Sequence, residues 1–300
     1  MTGGTTGRKP AAGRALLVVA TVCLALFVYD GVVRQVLSGL VKLPLISGGL
    51  NALTVVVVVF SVCHAAYALG PRHAAAFFAI TALVSWTFEE VGVATGLIYG
   101  PYHYTATLGP WLGSVPVLIP LAWFMMVYPS YVLANLIADG EPTGTRGGAG
   151  RLLGVALLSA LVVTAWDLLI DPVLSGPSFR AWVWETGGPY FGVPLMNYVG
   201  WLATTFVVYL LYRWGERRWK PRPLGPQSLA VAAMPVVAYA TMMVANAWSS
   251  YLPDGVKVIA PFAMGLPIVA ASLRLVDWGR AERQGRAGPD LSGGGYGPVK

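Results

Sequence analysis

Eight segments of this chain are apolar over lengths close to 20 residues, and this pattern constrains the fold more than any other feature of the sequence. A helix needs roughly 20 mostly apolar residues to cross the hydrocarbon core of a bilayer, because it rises about 1.5 Å per residue. The segments lie near residues 15–36, 44–69, 74–97, 115–137, 151–173, 194–214, 227–248 and 258–276. We therefore predict an all-α, polytopic membrane helix bundle with about eight transmembrane helices.

The composition agrees with a membrane protein and argues against several other classes. Hydrophobic residues make up 56% of the chain and charged residues only 11%, which is far from the balance of a soluble domain. The chain has two Cys and three His residues, so we expect no disulfide framework and no histidine-built metal centre. Its net charge of +7 comes from basic residues in short segments between apolar spans. Membrane topology explains this placement, and we expect no nucleic-acid partner.

The distribution of Lys and Arg predicts the orientation of the bundle. If the N-terminus is cytoplasmic, sixteen of the 20 basic residues fall in inside segments, and four fall in outside segments. This positive-inside bias predicts cytoplasmic N- and C-termini and supports an even number of spans. We expect a multi-pass protein of the cell membrane. Its predicted organisation is a cytoplasmic segment (1–14), one transmembrane domain (15–276) and a disordered cytoplasmic tail (277–300).

Two similar segments indicate an internal repeat. GPWLGSVP (109–116) follows the third span, and GPYFGVP (188–194) follows the fifth. Each comes after a helix with two carboxylates and an aromatic loop, and each ends in a Pro that opens a new helix, where Pro is favoured. We predict a parallel repeat of two helix pairs, spans 3–4 and 5–6. Repeats of this kind place binding sites at their mutual interface.

The four carboxylates of the repeat are the strongest candidates for chemistry. Glu89 and Glu90 lie in span 3, and Asp167 and Asp171 lie in span 5. At about 1.5 Å per residue, Glu89 and Asp167 reach the same depth, roughly 24 Å from the cytoplasmic side. A charged group facing lipid costs at least about 2.5–3.5 kcal/mol, so we expect all four to face the bundle interior or water. Burial favours the protonated form of a carboxyl group, which can deliver a proton.

The geometry of one helix separates adjacent carboxylates. Glu89 and Glu90 point about 100° apart, so we expect only one of them to face a reaction centre squarely. Asp167 and Asp171 are four residues apart and share a helical face. We expect Asp167 or Glu90 to donate the proton, with its counterpart orienting water. Glu89 and Asp171 would then tune the proton donor and its counterpart through hydrogen bonds. The alternative is structural: the four groups pair with one another or cap unwound backbone.

Aromatic residues of the outer loops are candidates for the walls of such a site. Rings attract cations, especially in a desolvated pocket, although interfacial Tyr and Trp residues are also common without a catalytic role. The loop aromatics and His103 form two groups, Tyr99, Tyr102, His103 and Tyr104 in the first loop and Trp182, Trp184, Tyr190 and Phe191 in the second. The candidate substrate-binding residues are Trp166, Tyr102, His103, Trp184, Tyr190 and Asn197. His103 fits a hydrogen-bonding or a proton-relay role, and Asn197 fits a water or carboxylate partner or simple interhelical packing.

Sequence motifs of other membrane enzymes are weak or missing. WDLLID (166–171) has the Asp-x-x-x-Asp spacing of membrane prenyltransferases that hold diphosphate through magnesium. Those enzymes use two Asp-rich motifs, and this sequence has no second one. No Walker A, HExxH or strand-linked GxGxxG motif is present.

The motifs of the repeat resemble those of a known family. The stretches EEVGVATGLIYGPYHYTATLGPWLGSVP, WDLLIDPV and GGPYFGVPLMNYVGW are similar to those of the membrane carotenoid-biosynthesis family that includes the CruF-type carotenoid hydratases. The resemblance covers about residues 50–275. It implies cofactor-free addition of water to the terminal C1=C2 double bond of an acyclic carotenoid end group, which gives a tertiary alcohol. It also implies a lipid-soluble carotenoid and the bilayer as partners, with other carotenoid-pathway enzymes as candidate partners.

Three functions remain open at this level. In a hydratase, protonation of C2 gives a tertiary cation at C1, which water captures; Trp166, Trp184, Tyr102 and Tyr190 are the expected cation-stabilising wall. A carotenoid cyclase would use the same acid and rings, but an internal double bond would capture the cation. A carotenoid-binding or transport protein would use the carboxylates in a proton pathway. Nothing in the spacing selects the carotenoid.

Overall fold

The computed structural model describes residues 10–287, and this part of the chain is mostly helical. It contains eight spans that are long and apolar enough to cross a membrane. The helices are α1 (Pro10–Val28), α2 (Leu50–Ala68), α3 (Pro71–Thr95), α4 (Leu118–Asp139), α5 (Ala149–Leu174), α6 (Leu195–Arg218), α7 (Leu229–Ala247), α8 (Asp254–Ala263) and α9 (Gly265–Ala287). Only Met264 separates α8 from α9, and together they form the eighth span. The predicted all-α bundle of eight spans is therefore confirmed.

Four short strands lie in the two connections that the repeat motifs occupy. They are β1 (Tyr102–Tyr104), β2 (Trp111–Leu112), β3 (Val115–Pro116) and β4 (Trp182–Trp184). The first three join α3 to α4, and β4 joins α5 to α6. β1 pairs with β4, and β2 pairs with β3, both antiparallel. The two connections are thus joined by hydrogen bonds at one end of the bundle, which we call the strand end.

The first and last spans differ from the predicted bounds. After α1 the chain forms a π-helical turn, Tyr29–Val33, and a further α-helical turn, Arg34–Val36. The last helix continues to Ala287, so residues 277–287 are helical where the sequence predicted a disordered tail. Residues 1–9 and 288–300 of the predicted terminal segments lie outside the described residues.

Helix α4 lies at the centre of the bundle. It packs against α2, α3, α5, α7 and α9, and 78% of its most apolar stretch is buried. Helices α3 and α6 pack against each other beside it, where the Phe77 and Tyr212 rings stack 3.8 Å apart. The two helix pairs of the predicted repeat, α3–α4 and α5–α6, therefore share one core.

The Tyr99 ring fixes the start of the α3–α4 connection between two glycines. A Cβ on Gly92 of α3 would lie 2.7 Å from this ring, and a Cβ on Gly200 of α6 would lie 2.4 Å from it. Real Cβ atoms do not approach other atoms so closely, so any larger residue would displace the ring or the backbone. The two glycines let Tyr99 insert between α3 and α6, just before β1 begins.

Candidate active site

The Glu89 carboxylate is buried at the strand end and accepts three hydrogen bonds. Its Oε2 accepts from the Tyr102 hydroxyl and, at 2.8 Å, from the Tyr104 hydroxyl. Its Oε1 accepts from Trp123 Nε1 at 3.2 Å. Only 5% of Glu89 is exposed. Three donors around a buried carboxyl group are typical of the ionised form, which only accepts.

The Asp171 carboxylate of α5 is held in a corresponding way. Its Oδ1 accepts from Trp182 Nε1 and Trp184 Nε1, both at 3.0 Å, and its Oδ2 accepts from Asn197 Nδ2 at 2.7 Å. In each half of the repeat, two alternate residues of the strand that follows the helix donate to the helix carboxylate. A residue of the next helix supplies the third donor.

The pairing of β1 with β4 brings the two carboxylate sites together. Tyr102 lies opposite Trp184 in the ladder, and Tyr104 lies opposite Trp182. The Tyr102 and Trp184 ring centroids are 5.0 Å apart. Each donor that β1 provides to Glu89 is therefore the direct cross-strand neighbour of a donor that β4 provides to Asp171, and cross-strand neighbours constrain each other's side chains.

Both carboxylates open into one small, aromatic cavity, which we call the chamber. Its volume is about 120 Å³. Aromatic side chains form much of its wall, namely Tyr99, Tyr102, Tyr104, Trp123, Trp166, Trp182, Trp184 and Trp201. The polar residues Glu89, Asp171 and Asn197 line the same space, and aliphatic side chains such as Leu50, Leu118 and Ile170 complete it. The chamber therefore combines acid groups, rings and an apolar surface.

Two tryptophans of the wall occupy matching places in the repeat. Trp123 and Trp201 each lie seven residues after the Pro that ends a repeat motif, Pro116 and Pro194. Their rings stack 3.9 Å apart with an interplanar angle of 17°. Trp166 packs against the edge of this pair, with its ring centroid 5.8 Å from that of Trp201. The halves of the repeat thus meet ring to ring at the chamber, as expected for a site at a repeat interface.

Asp167 lies behind Asp171, away from the chamber. It is fully buried, and its Oδ2 accepts from Asn197 Nδ2 at 2.7 Å, the same nitrogen that donates to Asp171. Among the described residues, neither its Oδ1 nor the buried hydroxyl of Tyr198 has a hydrogen-bond partner. One amide group therefore links a carboxyl group in the wall of the chamber to a second one deeper in the protein.

The structure corrects the placement predicted for Glu90. Its Oε1 accepts from the backbone N–H of Ser114 at 2.6 Å, in the turn between β2 and β3. It does not line the chamber. Adjacent helix positions diverge by about 100°, and Glu89 is the one that faces inward. Glu90 holds the turn, where a Cβ on Gly113 would lie 2.0 Å from its Oε1.

Two of the predicted substrate-binding residues also lie outside the chamber. His103 is on the opposite face of β1 from Tyr102, because successive strand residues point to opposite faces. Its side chain is 56% exposed, and its Nδ1 lies 3.5 Å from Glu185 Oε1. The Tyr190 hydroxyl donates to the backbone oxygen of Leu168 at 3.1 Å, which turns it away from the cavity. Of the predicted binding residues, Tyr102, Trp166, Trp184 and Asn197 do line the chamber.

The tyrosines of the first connection keep their protons. Burial, and then the neighbouring Glu89 carboxylate, raise the pKa of Tyr99, Tyr102 and Tyr104 well above the usual value. Tyr102 and Tyr104 therefore remain protonated hydrogen-bond donors to Glu89 at neutral pH.

Sequence reasoning missed Trp123 and Trp201 and did not select Tyr104 and Trp182. The alternation in YHY (102–104) and WVW (182–184) is a period of two, typical of strands, and places the outer two rings of each triplet on one face. That signal was available in the sequence.

Within residues 10–287, no three His, Cys, Asp or Glu side chains are grouped so that they could hold a metal ion.

Comparison with known proteins assigns the family. The chain matches the model of the carotenoid biosynthesis protein family over residues 48–271. It belongs to this family. The matched range contains every residue named above as lining the chamber, from Leu50 to Trp201. The chamber is therefore a feature of the part of the chain that carries the family relationship.

A curated relative of the chain has a named activity. The chain is 37% identical over 149 residues to the bisanhydrobacterioruberin hydratase of Haloarcula japonica. The alignment covers 49% of this chain and 47% of the relative, so the chain spans about half of the relative's length. No solved structure matches the chain.

Proposed function

We propose that this carotenoid biosynthesis protein is a hydratase. It adds water across the terminal C1=C2 double bond of an acyclic carotenoid end group and gives a tertiary alcohol, without a cofactor. The family and the name of the relative support this activity. The observation that carries the proposal is that Glu89 and Asp171, from different helices, line the same aromatic chamber and are each held by three donors.

The acid in this proposal is Asp171. Asp171 has three donors, as the ionised Glu89 has, but it also shares the amide nitrogen of Asn197 with Asp167. Two close carboxyl groups disfavour simultaneous ionisation, so we assign one proton to the pair despite these donors. Asp171 lines the chamber and delivers that proton to C2. Asp167, behind it, is a positioning residue that acts through Asn197. This assignment replaces Glu90 and Asp167 as the candidate donors from the sequence.

The cation that forms at C1 needs a wall of electron-rich rings. Trp166, Trp184 and Tyr102 of the predicted wall line the chamber, and the stacked Trp123 and Trp201 line it as well. Ring faces attract cations most strongly where water is excluded. The Glu89 carboxylate supplies a negative charge to the same space.

Glu89 is the base in this proposal. Water adds to C1, and its released proton goes to Glu89, while the proton from Asp171 stays on C2. The product contains one more water than the substrate, and one proton transfer from Glu89 back to the Asp pair restores the starting state. Pairs of carboxyl groups in different environments commonly divide acid and base roles in this way.

Product analysis of carboxylate variants tests the proposal. In a bacterial host that makes an open-ended carotenoid, the protein is expected to increase the product mass by one water per reacted end. Asp171→Asn and Glu89→Gln should each abolish this product. Glu185→Gln, at a carboxylate whose side chain is 56% exposed, is the matched control and should convert normally.

The same experiment separates the other two functions. A product of unchanged mass with a new ring would make the protein a cyclase. If the protein binds the pigment but neither the wild type nor any variant converts it, the protein is a binding or transport protein. Retained hydration in both Asp171→Asn and Glu89→Gln would refute the assigned roles.

We also propose that the protein lies in the cell membrane with both termini in the cytoplasm. The excess of Lys and Arg in one set of connecting segments supports this orientation. It puts the strand end and the chamber near the outer surface. Labelling of single introduced cysteines with a membrane-impermeant reagent tests it: a cysteine at Glu185 should react in intact cells, and one at Glu141 should not.

A further inference from the structure

A second, larger cavity adjoins the chamber. Its volume is about 600 Å³, about five times that of the chamber. It lies between the strand-end halves of α1, α2, α5 and α7, and the π-helical turn of α1 contributes to its wall. Its inner part is apolar, with Phe27, Leu53, Val57 and Met242 among the lining residues.

The two cavities share part of their walls. Six residues line both of them, namely Leu50, Thr54, Met125, Trp166, Ile170 and Leu174. These residues form the boundary between the two cavities, which we call the neck, and Trp166 is one of them. A substrate whose end lies in the chamber would have to pass the neck to extend into the larger cavity.

The size of the chamber requires such an extension if the substrate is long. An apolar cavity of about 150 Å³ holds one benzene molecule. A chamber of about 120 Å³ therefore fits an end group of a few carbons and a water, and no long chain. By the same measure a cavity of about 600 Å³ takes on the order of twenty carbons.

The far end of the larger cavity is polar. Asp30, Arg34 and Ser47 line it there, at the ends of α1 and of the following loop. Asp30 is buried and accepts from the backbone N–H groups of Ile46 and Ser47 at 3.1 and 2.7 Å. This fixes the loop before α2 against the π-helical turn. The larger cavity thus has an apolar inner part and a polar far end, and the buried Asp30 carboxylate holds the loop at that end in place.

We propose that the larger cavity binds the polyene chain of the same carotenoid whose end group reacts in the chamber. This inference rests on the proposed hydratase function and adds the site that selects a long isoprenoid chain. The neck at Trp166 separates the reacting end from the chain. Because the polyene chain is held outside the chamber, the larger cavity recognises substrate length and takes no part in the hydration itself.

Variants that fill the larger cavity test this inference. Leu53 of α2 and Ala245 of α7 line the larger cavity and not the chamber. Leu53→Trp and Ala245→Phe should block the chain from opposite walls. Val55→Trp is the matched control, because Val55 lies on the same helix, is 47% exposed and lines neither cavity.

Two probes of different length separate the chain site from the chamber. Lycopene has a long chain and an isopropylidene end, and 2-methyl-2-butene has the same end with no chain, so it is small enough for the chamber alone. We expect both filling variants to lower kcat/KM for lycopene by at least about tenfold, because a rigid, filled cavity does not expand at low cost. Hydration of 2-methyl-2-butene should stay within about twofold of wild type, which also shows that the variants fold. Val55→Trp should leave both rates unchanged.

Pigment retention distinguishes failure of this inference from failure of the hydratase proposal. Lycopene bound per protein after detergent purification should fall in the filling variants and not in Val55→Trp. If wild type hydrates neither probe but only the filling variants lose bound lycopene, the hydratase proposal fails and the chain site stands. Equal effects of the filling variants on both probes, or unchanged lycopene retention and turnover, would overturn the inference.

Discussion

Three tyrosines of the chamber allow one chemical change to be compared at three positions. Tyr99, Tyr102 and Tyr104 are at most 8% exposed, and all line the chamber. The hydroxyl groups of Tyr102 and Tyr104 donate to Glu89 Oε2. The Tyr99 hydroxyl is 2.8 Å from Thr204 Oγ1 instead. Tyr→Phe at each position removes one oxygen and keeps the ring.

The expected effect follows from the value of a hydrogen bond to a charged group. Such a bond contributes about 1.5–3 kcal/mol, and about 1.4 kcal/mol corresponds to a factor of ten. Tyr102→Phe and Tyr104→Phe should each destabilise the ionised form of Glu89 by this amount. If ionised Glu89 is the base, hydration should slow by roughly 10- to 150-fold. Tyr99→Phe removes a bond between neutral groups, worth about 0.5–1.5 kcal/mol of stability, and should leave turnover near wild type.

The assay is the initial rate of hydrated product formation across pH, together with the thermal unfolding midpoint. A higher pH should partly restore turnover in Tyr102→Phe, because it ionises a Glu89 that has lost a donor. The double variant should lose less than the sum of the single losses, since both hydroxyls bind the same oxygen. If Tyr102→Phe and Tyr104→Phe behave like Tyr99→Phe at every pH, the assignment of Glu89 as an ionised base is wrong.

Three further changes probe the surroundings of the chamber. Asn197→Leu removes the one hydrogen-bond donor that Asp167 has among residues 10–287, and it removes one donor of Asp171. We expect loss of hydration and a free energy of unfolding lower by about 3–5 kcal/mol, measured by denaturation in detergent. Gly200→Ala places a Cβ 2.4 Å from the Tyr99 ring and should destabilise the bundle by about 1–3 kcal/mol, read from the same denaturation curves. Burial, and then Asp167, raise the pKa of Tyr190 from 10.0 to about 12. The unfolded chain therefore loses this proton first, so the stability contributed by Tyr190 is complete below pH 10 and falls towards pH 12; Tyr190→Phe should flatten this part of the stability curve.

The helical spans were predictable because their signal is local. A segment of about 20 apolar residues forms a helix in a bilayer, because every backbone polar group there needs a hydrogen-bond partner within the protein. The ends of the spans were less predictable. In the π-helical turn at Tyr29–Val33, Asp30 accepts hydrogen bonds from the backbone of Ile46 and Ser47, and no apolar pattern encodes that contact.

The choice between adjacent carboxylates required the structure. Glu89 and Glu90 have the same chemistry and the same depth, and a helix presents only one of two neighbours to a given cavity. Which one faces inward depends on the rotation of α3, which is set by Tyr99 between Gly92 and Gly200. The contact between Tyr99 and Gly200 joins residues about 100 positions apart, and a single sequence does not display it.

Helix and strand periods together explain why this site needs both kinds of structure. A helix supplies one inward carboxylate per turn, whereas a strand supplies an inward ring at every second residue. Three residues of β1 therefore give Glu89 two donors from one short segment, and β4 does the same for Asp171. Because β1 and β4 form one ladder, a shift of one residue in their register would put the two donors of one strand on the face opposite to those of the other strand. One carboxylate would then lose both of its strand donors. The two halves of the site are thus set by a single pairing, and a substitution that breaks this pairing altogether should disable the proposed acid and the proposed base together.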